Sequence, residues 1–169
     1  FKNERIQGKK YIDGGVVNNV PLNSLVKRGY EDIIAVRIYG PGREPRVRMP
    51  QEGEKYEIAP RVKLGSIIEF SGKRSRQNMT IGYYDAKRMI YGLEGTIYYL
   101  EQLHDEEYYD RLLSDMREIE KAEIAFVLKL PLGFKNKELF MGMLEAAAKL
   151  LQIPKYQIYT VDQLCDMVY

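Results

Sequence analysis

The sequence predicts an α/β domain followed by a small, mostly helical extension. Near the start of the chain, a short apolar strand, a helix begun by Pro21 and a second apolar strand, Ile33 to Ile38, follow one another. Strand, helix, strand is typical of a βαβ unit in a parallel sheet. Helical patterns dominate after residue 103. We therefore expect an α/β part at residues 1–103 and a helical extension at residues 104–169.

The first elements are a hairpin, a turn and a short helix. The pattern from Glu4 to Ile12 predicts a β-hairpin with its turn at residues 7–9. The turn Asp13-Gly14-Gly15 follows it. Pro21 fits the first turn of a helix because its missing N–H is not needed there, and Gly29 is a suitable left-handed cap for that helix.

The next segment combines apolar strands with a basic loop. The strand from Ile33 to Ile38 is nearly all apolar, as expected of a strand covered on both faces of a parallel sheet. Tyr39-Gly40-Pro41-Gly42 breaks the pattern and begins a long loop that reaches Gly53. Lys55 to Ala59 is predicted as a further strand, and Leu64 to Phe70 as a short apolar piece.

A long helix and a strand complete the α/β part. Helical spacing predicts a helix from Ser75 to Gly92. Its expected apolar face consists of Met79, Tyr83, Ala86 and Ile90. Thr96 to Leu100 is rich in β-branched and aromatic residues, which favours a strand.

Three helices are predicted in the extension. One begins near Asp105 and ends before Pro131, and a second covers Asn136 to Leu151. The last begins at Thr160-Val161-Asp162-Gln163, a capping box. The apolar stripe of the first helix is expected to comprise Tyr109, Leu112, Leu113, Met116 and Ile119.

The composition is that of a globular chain and limits the possible chemistry. Apolar residues make up 45% and charged residues 30%, a balance that excludes a disordered chain. The single histidine, His104, excludes a multi-histidine metal site, and we expect it to lie solvated ahead of a helix. The single cysteine, Cys165, excludes an internal disulfide, and its neighbours predict a small buried hydrophobe.

The net charge of +2 conceals an asymmetry along the chain. Between Arg37 and Arg76 there are ten basic residues against five acidic ones, and between Glu94 and Glu123 ten acidic against three basic. One interpretation is two solvated faces of opposite sign. The other is a basic rim over residues 37–76 that meets an anionic membrane surface. Nucleic acid is disfavoured because no aromatic recognition pattern accompanies the basic residues.

One acidic side chain is presented where the first hairpin ends. The segment reads Tyr11-Ile12-Asp13-Gly14-Gly15-Val16-Val17-Asn18-Asn19-Val20-Pro21-Leu22, and its turn is one that glycine makes most readily. Asp-Gly is also a common turn dipeptide, so a purely structural role is an alternative. No Gly-x-Ser-x-Gly occurs in the chain, and the nearest serine site, Glu69-Phe70-Ser71-Gly72-Lys73, lacks both glycines.

This segment resembles the Asp-Gly-Gly region of patatin-like acyl hydrolases over its whole length. Tyr84-Asp85-Ala86-Lys87 and Tyr91-Gly92-Leu93-Glu94-Gly95 also resemble bacterial members of that family. The resemblance implies the C-terminal part of a patatin-like α/β sheet, in a hydrolase of lipid esters with a Ser-Asp dyad. Asp13 would accept the serine proton. Loop-shaping roles would fall to Gly14, Gly15, Asn18, Asn19 and Pro21.

The resemblance also implies that half of the catalytic machinery lies elsewhere. The chain begins at Phe1, and we expect the serine and a glycine-rich oxyanion hole to precede it in a longer protein. The chain alone is therefore expected to be inactive. No metal or organic cofactor is implied, because the dyad activates its nucleophile directly.

The expected partners follow from the same interpretation. The substrate would be a lipid or another ester, in a cytoplasmic protein that can lie against a membrane. Because the strand Ile33 to Ile38 would lack cover, we expect the isolated chain to form a homodimer. The alternative is a non-catalytic interaction module whose helical extension binds a protein partner or a membrane surface.

Overall fold

The computed structural model describes residues 4–38, 40, 42–66, 68, 71–101 and 103–169. It is a mixed α/β structure, 44% helical and 13% strand, as the sequence predicts at that level. The described strands form three separate two-stranded sheets. The chain divides into two compact units, Phe1–Asp85 and Ala86–Tyr169. The domain boundary expected after residue 103 stays a prediction. The division after Asp85 separates compact units, and the boundary of a family domain can lie elsewhere.

The first unit opens with the predicted hairpin. Strands β1 (Glu4–Ile6) and β2 (Lys9–Tyr11) pair antiparallel. Gln7 and Gly8 between them have φ of 48° and 76°, the left-handed pair that a tight hairpin turn requires. Helix α1 (Gly15–Asn18) follows.

The short helix after Pro21 is also formed. Helix α2 spans Leu22–Val26, with Pro21 immediately before it. Gly29 has φ 87°, the left-handed conformation predicted for the residue that ends this helix.

The predicted βαβ unit is not formed. Strand β3 (Ile33–Val36) pairs in parallel with β4 (Lys55–Ile58), and the long basic loop joins them. Among the described residues, β2 pairs with β1 alone. All three residues of β2 are exposed, and its lysines suit a solvated hairpin better than a buried parallel strand.

Strand β3 is covered on one face only, contrary to expectation. Ile33 and Ala35 are buried, whereas Ile34 and Val36 are exposed. Alternation of this kind is the signature of a sheet with a single packed face. An apolar face of the first unit is therefore open to water.

Two predictions for this region fall partly outside the described residues. The apolar piece Leu64 to Phe70 includes residues 67, 69 and 70, and the break Tyr39-Gly40-Pro41-Gly42 includes residues 39 and 41. Helix α3 spans Gly72–Tyr91 and so begins three residues earlier than the sequence predicts.

The buried face of α3 is not the predicted one. Met79, Tyr83 and Ile90 are exposed, and Ile81, Asp85 and Arg88 are buried at helical spacing instead. The Arg88 guanidinium donates to the Tyr98 carbonyl at 2.6 Å and lies 4.2 Å from the Tyr99 ring centroid. Because of these contacts, the side of the helix that carries Asp85 and Arg88 faces inward. The spacing of apolar residues does not predict a buried polar side.

The second unit is mostly helical around a small parallel sheet. Its strands are β5 (Tyr99–Glu101) and β6 (Ile158–Thr160), which pair in parallel. Its further helices are α4 (Glu106–Leu112), α5 (Glu118–Leu128), α6 (Asn136–Leu150) and α7 (Val161–Val168). The strand β6 was not predicted, and β5 begins three residues later than the expected strand.

Two groups of buried side chains hold this unit together. The larger surrounds the sheet and includes Tyr98, Leu100, Tyr159 and Leu164. The smaller lies between α4, α5 and α6 and contains Leu113, Ala125 and Leu139. Helix α6 contributes to both groups and is the central element of the unit.

The single helix predicted from Asp105 to before Pro131 is wrong, because the chain forms α4 and α5 with a break at residues 113–117. Glu120 causes the second start: its carboxylate accepts the backbone N–H of Arg117 at 3.0 Å and the guanidinium at 2.6 Å. The predicted apolar stripe divides accordingly. Tyr109 and Leu113 are buried, whereas Leu112 and Ile119 are exposed.

The last helix begins as predicted. The Thr160 hydroxyl accepts the Gln163 backbone N–H at 3.1 Å, and the Gln163 side chain accepts the Thr160 N–H at 3.0 Å. Within the described part of the chain, no helix combines the length and apolarity that a bilayer crossing demands.

Candidate active site

Asp13 is exposed at the point where β2 ends and α1 begins. Its Oδ1 accepts the backbone N–H of Gly15 at 2.7 Å. Its Oδ2 makes no hydrogen bond within the described residues. One carboxylate oxygen is thus held by the turn while the other remains able to accept a proton, an arrangement suited to a general base.

The turn that holds Asp13 is helical rather than left-handed. The Asp13 carbonyl accepts the Val16 N–H at 3.1 Å, and the Gly14 carbonyl accepts the Asn18 N–H at 2.8 Å. Gly14 has φ −60° and ψ −29°, and neither glycine of the motif has positive φ. The expectation that this turn needs glycine for its backbone conformation is therefore wrong.

The two glycines differ in the space around them. A Cβ on Gly15 would lie 3.0 Å from Asn19 Oδ1 and 3.2 Å from Asp13 Oδ1, whereas a Cβ on Gly14 would meet nothing within 4 Å. A side chain at residue 15 would press against the Asp13 carboxylate, which folds back over Gly15, and would make that oxygen shift. Gly14 leaves one side of the turn open.

The basic loop is fastened to this turn by its backbone. The Arg43 N–H donates to the Gly15 carbonyl at 3.0 Å, and the Asn19 N–H donates to the Arg43 carbonyl at 2.8 Å. At Gly42 a Cβ would lie 2.5 Å from the Gly15 carbonyl oxygen, so only glycine allows this approach. The sequence did not indicate the contact.

The remaining motif residues connect α1 to α2. The Asn18 side-chain amide donates to the Asn23 side-chain oxygen at 2.8 Å. Asn19 ends α1, and Pro21 precedes α2. Asn18, Asn19 and Pro21 thus lie in the connection between the two helices, and the loop-shaping roles that the resemblance implies for them stay predictions.

The serine nearest to the missing motif shows no link to Asp13. Ser71 precedes α3, and its Oγ accepts the Arg74 N–H at 3.4 Å. No hydrogen bond joins it to Asp13 in the described residues. Residues 69 and 70 of the same string lie outside those residues.

A second carboxylate, which the sequence did not single out, binds three backbone amides. Glu145 is buried on α6, and its Oε1 accepts the N–H groups of Thr96, Ile97 and Tyr98 at 2.8, 2.8 and 2.9 Å. Successive N–H groups of this kind form an anion-binding nest, here filled by the protein's own side chain. The arrangement is structural.

The loop that Glu145 binds also explains why residues 92 and 95 of the Tyr91-to-Gly95 segment are glycine. Gly92 has φ 62° directly after α3, and Gly95 has φ 87°. A Cβ on Gly95 would lie 2.7 Å from the Tyr98 carbonyl oxygen and 2.8 Å from Glu145 Oε1. Both glycines serve the loop that Glu145 binds.

His104 is packed rather than freely solvated. Its ring stacks on Tyr108 at a centroid distance of 3.9 Å, and its Nε2 lies 2.9 Å from Asp162 Oδ1. The expectation of a solvated flank holds in part, since the side chain is still 32% exposed. The contact ties the residue ahead of α4 to the first turn of α7.

Cys165 lies against the larger buried group of the second unit. Burial raises the pKa of its thiol, and Asp162 and Asp166 add to the shift. A raised pKa lowers the thiolate fraction and with it the reactivity. No three His, Cys, Asp or Glu side chains of the described ranges are grouped so that they could hold a metal ion.

The chain matches no family model, and neither a curated protein nor a solved structure matches it.

Proposed function

We propose that this chain supplies the general base, Asp13, to a Ser-Asp acyl hydrolase of the patatin-like kind that cleaves lipid or other esters. The nucleophilic serine and the oxyanion hole would come from a segment outside these 169 residues. We use the term complete hydrolase for the protein that joins that segment to this chain. The observation that carries the proposal is the exposed Asp13 carboxylate, oriented by the Gly15 N–H with its second oxygen available.

The chemistry asked of Asp13 is the removal of one proton. In the complete hydrolase, Oδ2 would accept the serine hydroxyl proton as the serine oxygen attacks the ester carbonyl. The proton would then pass to the leaving alcohol as the acyl-enzyme forms. Positioned acid–base groups of this type contribute roughly a hundredfold to ten-thousandfold in rate.

The surroundings of Asp13 support this assignment. The backbone bonds of Gly15 and Asn19 to Arg43 hold the turn from one side. The space beside Gly14 is open within the first unit. A fixed base with an open approach is what a nucleophile from another segment would need.

The rival proposal is a non-catalytic interaction module in which the Asp13 turn is structural. The hydrogen bond from Gly15 to Asp13 would then only stabilise the start of α1. The two proposals differ in what removal of the carboxylate does to hydrolysis. A cytoplasmic location, association with an anionic membrane through residues 37–76, and the absence of any cofactor remain parts of the first proposal.

In the complete hydrolase, Asp13→Asn should lower ester turnover roughly a hundredfold or more while the fold is kept. Asparagine retains the oxygen that accepts the Gly15 N–H but cannot take up the proton. Turnover of a short-chain nitrophenyl ester measures the effect.

Asp115→Asn is the matched control, because Asp115 is an exposed aspartate of the second unit. It should leave turnover unchanged, and the 169-residue chain alone should show none. If the Asp13→Asn protein kept a large share of the turnover, Asp13 would not be the base and the interaction module would be favoured.

A further inference from the structure

The loop that follows β3 returns to the Asp13 turn and binds both ends of α1. The Arg43 N–H donates at 3.0 Å to the carbonyl of Gly15, the first residue of α1. The N–H of Asn19, which ends α1, donates to the Arg43 carbonyl at 2.8 Å. We call residues 42–44 the strap.

Helix α1 depends on contacts of this kind to keep its place. It spans a single turn, Gly15–Asn18, and buries none of its residues, and all of β2 before it is exposed. One turn of helix is not stable without contacts to the rest of a protein. The bonds to Arg43, with a longer one from the Asn19 side chain to the Gly40 carbonyl at 3.5 Å, tie α1 to a distant part of the chain.

Gly42 allows the strap to approach α1 closely. A Cβ at this position would lie 2.5 Å from the Gly15 carbonyl oxygen and 2.9 Å from the Asn19 Cβ. Its φ of 152° is also one that residues with a side chain rarely adopt. Gly40 belongs to the same loop, and a Cβ there would meet nothing within 4 Å among the described residues. Alanine at residue 42, but not at residue 40, would therefore force the strap and α1 apart.

The far end of the strap is fixed to the sheet of β3 and β4. The Glu44 carboxylate accepts from the guanidinium of Arg37, which directly follows β3. The same guanidinium donates to Glu57 of β4 at 3.2 Å, and the Arg37 N–H donates to the Ile58 carbonyl at 2.8 Å. Because the Arg37 side chain is only 18% exposed, its ion pairs are partly sheltered from screening by salt. A continuous set of contacts thus runs from the sheet through the strap to α1.

We propose that the strap positions the Asp13 carboxylate, with Gly42 and Glu44 as positioning residues. Gly15 is the link, because its N–H donates to Asp13 Oδ1 at 2.7 Å while its carbonyl accepts from Arg43. A shift of the strap therefore moves the donor that orients the carboxylate. The effect on turnover rests on the proposed function, whereas the effect on the turn can be measured in the 169-residue chain alone.

Nuclear magnetic resonance of the 169-residue chain tests the link between strap and turn. The chemical shift of the Gly15 amide proton should change between about pH 3 and pH 6, where exposed aspartates titrate, because this proton is bound to the Asp13 carboxylate. Asp13→Asn should abolish the change. Gly42→Ala should reduce it roughly by half or more, and Gly40→Ala should leave it as it is. Circular dichroism should show each variant folded over this range.

Glu44→Ala removes the anchor of the strap without placing a new group against α1. It should therefore also reduce the change in the Gly15 signal. Glu52→Ala is the matched control, because Glu52 is an exposed glutamate of the same loop, and it should leave the signal unchanged. A change of full size in either strap variant, or an equal loss in its control, would overturn the proposal.

Turnover of the complete hydrolase shows whether the strap serves catalysis. Gly42→Ala should lower kcat roughly tenfold, since misplacement of a catalytic group by about 1 Å can lower a rate roughly a hundredfold, while KM stays within about twofold. Gly40→Ala should change neither. If Asp13→Asn abolished turnover and Gly42→Ala kept it, the strap proposal would fail and the proposed function would stand. If Asp13→Asn itself kept turnover, the proposed function would fail instead, and the strap would order a structural turn.

Discussion

Among the described residues, Asp13 is oriented by one hydrogen bond to its side chain, from the backbone N–H of Gly15, and a side chain at residue 15 would press against the oxygen that accepts it. The carboxylate oxygen that accepts the bond would lie 3.2 Å from a Cβ at this position. Gly14, beside it, has ordinary helical dihedral angles. The two glycines of the motif therefore differ in role: Gly15 lies against the Asp13 carboxylate, whereas Gly14 has open space beside it.

Gly15→Ala and Gly14→Ala should differ in their effect on the complete hydrolase. At Gly15 the added methyl group would lie 3.2 Å from the Asp13 carboxylate oxygen, which must then shift by a few tenths of an ångström. The rate should fall, by less than the roughly hundredfold that a misplacement of about 1 Å costs. At Gly14 a methyl group meets nothing within 4 Å in the 169-residue chain, and the stability of that chain should rise by about 0.4 to 1 kcal/mol. In the complete hydrolase the same methyl group would lie on the side that we propose for the approach of the serine.

Ester turnover and urea unfolding of both variants check this difference. Turnover of the Gly15→Ala protein equal to that of the unchanged protein would show that the close approach at Gly15 does not position the base.

The sequence predicts the local conformation of some residues but not their contacts with distant parts of the chain. The left-handed Gly29 and the capping pair of Thr160 and Gln163 follow from local rules. The bonds of Arg43 to Gly15 and Asn19 do not, because a backbone contact between distant segments carries no side-chain signature. Only Gly42, which permits the approach, could have indicated it.

Among the elements, α6 controls the loop that leads into β5. Its Glu145 carboxylate satisfies three successive backbone N–H groups, and Gly95 keeps the space beside it free. A buried amide that loses its acceptor destabilises the fold by about 1 to 3 kcal/mol. One side chain thus determines how β5 is entered.

Glu145→Ala should lower the free energy of unfolding of the chain by about 2 kcal/mol or more, since the buried N–H of Tyr98 and the partly buried N–H groups of Thr96 and Ile97 lose their acceptor. Glu145→Gln keeps one acceptor oxygen and should be milder. Glu123→Ala, at an exposed site of α5, should change stability by less than about 0.5 kcal/mol.

Urea unfolding followed by circular dichroism provides the comparison. A Glu145→Ala protein as stable as the Glu123→Ala protein would mean that the three amide bonds contribute nothing to stability.

The sequence-based predictions of helices and strands are wrong where a contact with another part of the chain determines the element. The break between α4 and α5 depends on the bonds of Glu120 to Arg117, and the buried face of α3 depends on Arg88 and the Tyr98 carbonyl. Strand β6 has three residues and exists through its pairing with β5. Periodicity alone contains none of this information.

At the scale of the whole molecule, the sheet of the first unit presents an apolar face to water. Ile34 and Val36 of β3 are exposed by 62% and 71%, and Ile38 by 73%. Tyr56 lies opposite Ile34 on β4. Soluble monomers rarely leave such a face uncovered.

The isolated chain should therefore form a two-fold dimer through this face, as the sequence predicts, with a mass of twice 19.7 kDa. Light scattering at micromolar concentration measures the mass. Ile34→Lys should yield the monomer, because a charge on the apolar face opposes its burial.

Phe126→Lys, at a site of α5 that is 84% exposed, is the control and should leave the dimer intact. A clean monomer for the unchanged chain, without binding of a hydrophobic dye, would show that the face of β3 does not mediate association.

The central claim is that Asp13 activates a serine supplied by another segment, and the rate at which a fluorophosphonate labels that serine tests it most directly. The reagent reports the reactivity of the nucleophile without the later steps of ester hydrolysis. In the complete hydrolase, Asp13→Asn should slow labelling roughly a hundredfold or more, whereas Asp115→Asn should not. Labelling of the Asp13→Asn protein at the unchanged rate would contradict the account, since the serine would then be activated without Asp13.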